Sequence, residues 1–320
     1  MSTFVEIAPA EYDANAFAGF DPSVAGFEIA NARALIWLSQ LAYEAHRDLT
    51  IDTVSREWGF TTAVPFIQEK TGLNGNFETC GLVAERADAV ILAFAGTDPG
   101  IWQNLATNID IPLDPATDTH QGFQLAVQAA RMQIGQAVLR SQQSQKPLFI
   151  TGHSLGAALA ALAAQMASAA GTPPHAVYVF GMPRTGGLRF QAGYDASLGA
   201  LTYRLVYGVD LVARVPPSSL MFHHVGRLLE CVAGAKFDGA QLSQLPSDAP
   251  PFSEELRSLL VRNVGDVLSG NILSPAGSGT FGPLFQFIPP EIRDHLQDSY
   301  WKALTPSPDA NETETAPAGG

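Results

Sequence analysis

Residues 146–165 read KPLFITGHSLGAALAALAAQ: a short apolar run, then Gly-His-Ser-Leu-Gly, then a run dominated by alanine. A serine in this setting is placed for nucleophilic attack when the strand-to-helix turn is so tight that neither flank has room for a β-carbon. Ser154 would then stand at the strand exit, and the small residues after it would let the helix lie close over the sheet. The first free amide of that helix, Leu155, is aimed where a tetrahedral oxyanion would form. The plainer role for the same serine is a helix N-cap at a glycine-rich turn.

A serine nucleophile needs a second oxyanion donor, a base and an acid. AVILAFAGTD supplies a candidate donor, Thr97, just past Gly96 at a strand end. Directly afterwards, Ile101, Trp102, Leu105 and Ile109 share one helical face, which predicts a lid helix near 99–112. For the acid, Asp210 follows the strand LTYRLVYG and precedes a proline-rich loop, so it sits at a strand's carboxyl end, where such sites gather. Asp195, at a helix–loop border, is the rival. In folds built around this elbow the chain order is serine, acid, histidine. That order excludes His46, His120, His153 and His175, and His153 is expected to point to the other side of the turn. His224, at the entrance to a strand, and His295, after the last strand, both satisfy it.

These residues must be held by an α/β scaffold. Helical spacing predicts a long helix over 27–47, and further helices over 121–140, 155–170, 186–195, 253–270 and 291–303. Strands are expected at 60–67, 77–85, 89–96, 146–152, 175–181, 201–208 and 224–232. Their alternation with helices implies a mostly parallel central sheet covered on both faces. One domain is expected over 1–304, with 233–290 a less regular insertion and 305–320, which lacks large apolar residues, a disordered tail.

The motifs FAGTD, THQGF (119–123), ITGHSLGAALA (150–160), VFGMPRTG (179–186), VDLVARVPP (209–217), HHVG (223–226) and DHLQDSYW (294–301) occur in that order. Together they resemble the class 3 (fungal-type) lipase family over about 89–301. The resemblance implies an α/β-hydrolase fold and hydrolysis of acyl esters, triacylglycerols foremost, with small-ester esterase or phospholipase A1 activity as the alternative. It assigns the acid to Asp210 within GVDLVARVPP, the catalytic histidine to His295, and a structural H-x-G position to His223–His224. Ala95 departs from the pattern, which usually carries arginine before Gly-Thr. The implied substrate is a lipid or other ester, met at a lipid–water interface by the lid, and no metal or organic cofactor is called for. A scaffold of this fold that has lost catalysis is the non-enzymatic alternative.

Composition limits the other readings. Of 320 residues, 46% are hydrophobic and 15% charged, enough for a sizeable core. A net charge of −13 argues against nucleic acid and anionic membrane surfaces. Cys80 and Cys231 are far apart, fit no metal spacing, and read as small core residues, with a disulfide between them left open. Neither a transmembrane run nor a basic-then-apolar leader is visible, which predicts a cytoplasmic protein, with secretion as the alternative.

Overall fold

The computed structural model describes residues 7–72, 75–96, 112–239 and 290–306. Seven strands form one sheet in chain order: β1 (Phe60–Gly72), β2 (Gly75–Arg86), β3 (Val90–Phe94), β4 (Leu148–His153), β5 (Ala176–Phe180), β6 (Thr202–Tyr207) and β7 (Arg227–Cys231). β1–β2 and β2–β3 pair antiparallel, and every pair from β3 to β7 is parallel. This is the expected α/β-hydrolase architecture.

Period-two burial divides the core between the two faces. Ile91, Ala93, Phe149, Tyr178 and Phe180 point to one face, where α1 (Ile29–Leu41) and α2 (Asp48–Glu57) pack. Val90, Leu92, Phe94, Ile150, Val177 and Val179 point to the other. That side is covered by α3 (Gln121–Ala129), α4 (Arg131–Ser144), α5 (Leu155–Ala169) and α6 (Leu188–Leu198). Strands buried on both sides must be largely apolar, as β3 and β5 are, whereas β4 carries Thr151 and His153 toward its carboxyl end.

Several boundaries differ from the sequence reading. The helix expected over 121–140 breaks at Ala130, and α2 lies outside the sequence expectation because DLTIDTVSRE has only three apolar residues, two of them the β-branched Ile51 and Val54. The strand expected from 224 begins at Arg227, so His224 lies in the loop before it. The helix expected over 291–303 is two pieces, α7 (Pro290–Arg293) and α8 (Gln297–Leu304), with His295 in the interruption. The helix expected over 253–270, most of the 233–290 insertion and 307–320 of the tail lie outside the described residues. Cys80 is half-buried and Cys231 buried, and both are free thiols. Among the described residues no helix is long and apolar enough to cross a membrane.

Candidate active site

The elbow at Ser154 is built as the flanking glycines require. A β-carbon on Gly152 would lie 2.2 Å from the Gly156 carbonyl oxygen, and one on Gly156 would lie 2.5 Å from the carbonyl oxygens of both Phe94 and Ala95. The turn thus presses its own backbone together and against the end of β3. Ser154 absorbs the reversal with φ 63° and ψ −131°, a backbone state L-residues rarely hold. Its amide donates to Phe180 O at 2.9 Å, locking the turn to β5. Leu155 opens α5, so its N–H has no acceptor earlier in the helix.

Asp210 follows β6 and is fully buried. Its Oδ1 accepts the Val212 amide at 2.8 Å, and its Oδ2 accepts the Tyr300 hydroxyl at 2.5 Å. Burial alone would raise its pKa. The charge of His295 and hydrogen bonds from His295 and Tyr300 outweigh that and hold the carboxyl below its usual range. Tyr300 moves the other way: burial, reinforced by the neighbouring carboxylate, keeps its phenol protonated and therefore a donor.

His295 joins the two ends. Its Nε2 is 2.9 Å from Ser154 Oγ, and its Nδ1 lies 2.9 and 3.0 Å from the Asp210 oxygens. A carboxylate on Nδ1 fixes the proton there, which leaves Nε2 with a lone pair facing the serine hydroxyl. Room for this meeting comes from Gly181, at φ +57°. A β-carbon there would stand 2.7 Å from Asp210 Oδ2 and 2.9 Å from His295 Nδ1.

The expectation that His153 points away is wrong. Its ring stacks on His295, centroids 4.7 Å apart, and its Nε2 donates to the His295 carbonyl at 2.8 Å. That bond fixes the tautomer, so Nδ1 accepts from Tyr43 Oη at 3.0 Å. Burial, reinforced by the charge of His295, pushes His153 down to about 3, so it is neutral at physiological pH. The break between α7 and α8 has the same origin, since the His295 carbonyl is committed to His153 rather than to a helix. Nothing local in the sequence announces Tyr43. Tyr300, by contrast, lies inside the DHLQDSYW motif, where a polar group near the acid was to be looked for.

The rival residues are engaged elsewhere. His224 is buried and donates from Nε2 to Ala213 O at 2.8 Å, bracing the loop after Asp210. Asp195 accepts the Gly226 amide at 2.8 Å. The second expected oxyanion donor, Thr97, and the lid residues Ile101, Trp102, Leu105 and Ile109 lie outside the described residues. The departure at Ala95 falls at a crowded point, where Ala95 is buried and its carbonyl meets Gly156. Among the described residues, the His, Cys and carboxylate donors spaced to share a metal ion are His46, Glu78 and Cys80, none of them part of this cluster.

The profile of "Lipase (class 3)" matches residues 91–220. A curated "secreted mono- and diacylglycerol lipase" of Malassezia restricta is 32% identical over 148 residues, 42% of this chain and 49% of that protein. A "phospholipase A1-II" of Oryza sativa is 34% identical over 116 residues, 32% of this chain and 28% of that one. The chain spans about half the length of the curated relatives it matches or less. Among solved structures, lipase II of Rhizopus niveus superposes with a TM-score of 0.51 at 18% identity, over 74% of this chain and 92% of that one. The lipase of Rhizopus microsporus var. chinensis gives 0.53 at 18% identity, over 74% and 85%. At such identities the likeness speaks for the fold.

Proposed function

We propose that the chain, which matches the class 3 lipase profile over residues 91–220, is a lipase of that family and a serine hydrolase of acyl esters, acting on glycerolipids. The observation that carries the proposal is the unbroken hydrogen-bonded path from Ser154 Oγ through His295 to Asp210. Ser154 attacks the ester carbonyl carbon while His295 Nε2 takes its proton. The imidazolium is stabilised by Asp210, whose depressed pKa keeps it ionised at neutral pH. The tetrahedral oxyanion collapses, the alkoxide leaves with the proton from Nε2, and Ser154 keeps the acyl group. Water then attacks that acyl carbon, giving its proton to Nε2. The free acid departs, and the proton returns to Ser154.

The Leu155 amide is the first oxyanion donor, supported by its position at the N-terminus of α5. Thr97 is the second, on its place just after Gly96. Residues 101, 102, 105 and 109 form the candidate lid on their apolar spacing. The Malassezia relatives favour mono- or diacylglycerols as substrates, and their description as secreted favours export over the expected cytoplasmic location. The rice relative supports phospholipase A1 activity as a second reading.

The test is a serine-directed phosphonate followed by peptide mass spectrometry. Labelling at Ser154, with loss of p-nitrophenyl ester hydrolysis in Ser154→Ala, is expected. Labelling elsewhere, or full activity in Ser154→Ala, overturns the proposal. Emulsions of diacylglycerol, triacylglycerol and phosphatidylcholine, assayed side by side, separate the two substrate readings.

A further inference from the structure

We propose that His46, Glu78 and Cys80 form a binding site for a thiophilic divalent cation, zinc above all. The three come from two segments far apart in sequence. His46 follows the 3-10 turn Ala42–Glu44 that continues α1, whereas Glu78 and Cys80 are two apart on β2 and so share one face of it. One donor atom from each lies within 4.8 Å of the other two. His46 Nε2 is 3.9 Å from Glu78 Oε1, and Cys80 Sγ is 3.4 Å from the same oxygen. A tetrahedral zinc with ordinary Zn–N, Zn–O and Zn–S bonds holds its donors about 3.3–3.8 Å apart. Closing the remaining gap takes small side-chain movements. Both His46 and Glu78 have that freedom, since their side chains are 45% and 48% exposed.

The frame under the donors is firm. The Cys80 carbonyl accepts the Ala95 amide at 3.0 Å, and Cys80 pairs with Ile67 of β1 across the sheet. Ahead of His46, the buried Glu44 carboxylate accepts from the Tyr12 hydroxyl, the Ile7 amide and Arg47. One imidazole, one thiolate and one carboxylate make a mixed N, O, S set that suits zinc. Calcium and magnesium prefer all-oxygen shells. Water completes the tetrahedron, and on ligation Cys80 exchanges its thiol proton, released to solvent, for a metal–sulfur bond. Sequence spacing alone hides the site, because its histidine lies more than thirty residues before its cysteine.

Cobalt(II) titration of the full chain, in a non-thiol reductant, reads the site directly. One equivalent is expected to raise a near-ultraviolet thiolate-to-cobalt band, which zinc abolishes by displacement and calcium does not. Cys80→Ser removes the band and Cys231→Ser keeps it. His46→Ala and Glu78→Gln, both at exposed side chains, each weaken zinc binding about tenfold or more. The proposal is overturned by a missing band, by one that survives Cys80→Ser, or by zinc affinity unchanged in both His46→Ala and Glu78→Gln. Circular dichroism of each variant checks that the fold is retained, and none of these readouts depends on ester hydrolysis.

Discussion

The imidazole of His153 stacks on that of His295 and donates a hydrogen bond to the His295 backbone carbonyl at 2.8 Å. The residue before Ser154 thus fixes the main chain that carries His295, the proposed base. Tyr43, after α1, fixes His153 in turn.

This arrangement makes His153 a positioning residue. His153→Phe keeps the stack and removes the bond, and kcat on a soluble short-chain ester should fall about tenfold with KM nearly unchanged. Tyr43→Phe should act in the same direction. The rate of phosphonate labelling at Ser154 should slow in parallel, whereas mere packing would alter stability and leave that rate untouched.

Tyr300→Phe withdraws a donor from Asp210 Oδ2 and leaves the His295 contact in place. The Asp210 pKa should rise, and kcat should drop about tenfold to a hundredfold, as for other hydrogen bonds to charged groups. The acid limb of the kcat–pH profile should also move toward neutrality. Steady-state kinetics across pH give both readings.

Three buried histidines, His120, His153 and His224, make the fold acid-sensitive. Burial depresses His120 to about 4, His153 to about 3 and His224 well below its ordinary range, each below the unfolded value of about 6.5. Between those limits the unfolded chain binds more protons than the native one. The stability they contribute is therefore complete above about pH 6.5 and declines as pH falls toward their folded values. Each adds a slope of about 1.4 kcal/mol per pH unit inside its window. Urea unfolding from pH 7.5 to 4.5 should show a shallower decline in His153→Gln.

Glycine substitutions should divide by what a β-carbon would meet. Gly156→Ala drives a methyl into the carbonyls of Phe94 and Ala95 and should cost about 3 kcal/mol or more, or prevent folding. Gly135, inside α4, has open space around its missing β-carbon. Gly135→Ala should stabilise by about 0.5–1 kcal/mol. Thermal denaturation distinguishes the two.

Much of the scaffold is legible because β3 and β5 must be apolar on both faces, and the elbow must carry glycine on both sides of Ser154. Period and turn chemistry are local, so the sequence displays them. The direction of His153 is not legible locally, because it depends on where His295 arrives, 142 residues later. Tyr43 and the convergence of His46 on Glu78 and Cys80 were hidden for the same reason: each belongs to a contact between distant segments. The split of the last helix was equally invisible, since helical spacing runs unbroken through 291–303 while the His295 carbonyl is taken by a partner outside the helix.

The central claim is that His295, and not His224, is the base for Ser154. Its most direct test is kcat/KM on a soluble p-nitrophenyl ester for His295→Ala beside His224→Gln, normalised to folded protein. The account predicts a loss of about ten-thousandfold in the first and near-native turnover in the second. A modest loss in His295→Ala together with collapse in His224→Gln would contradict it.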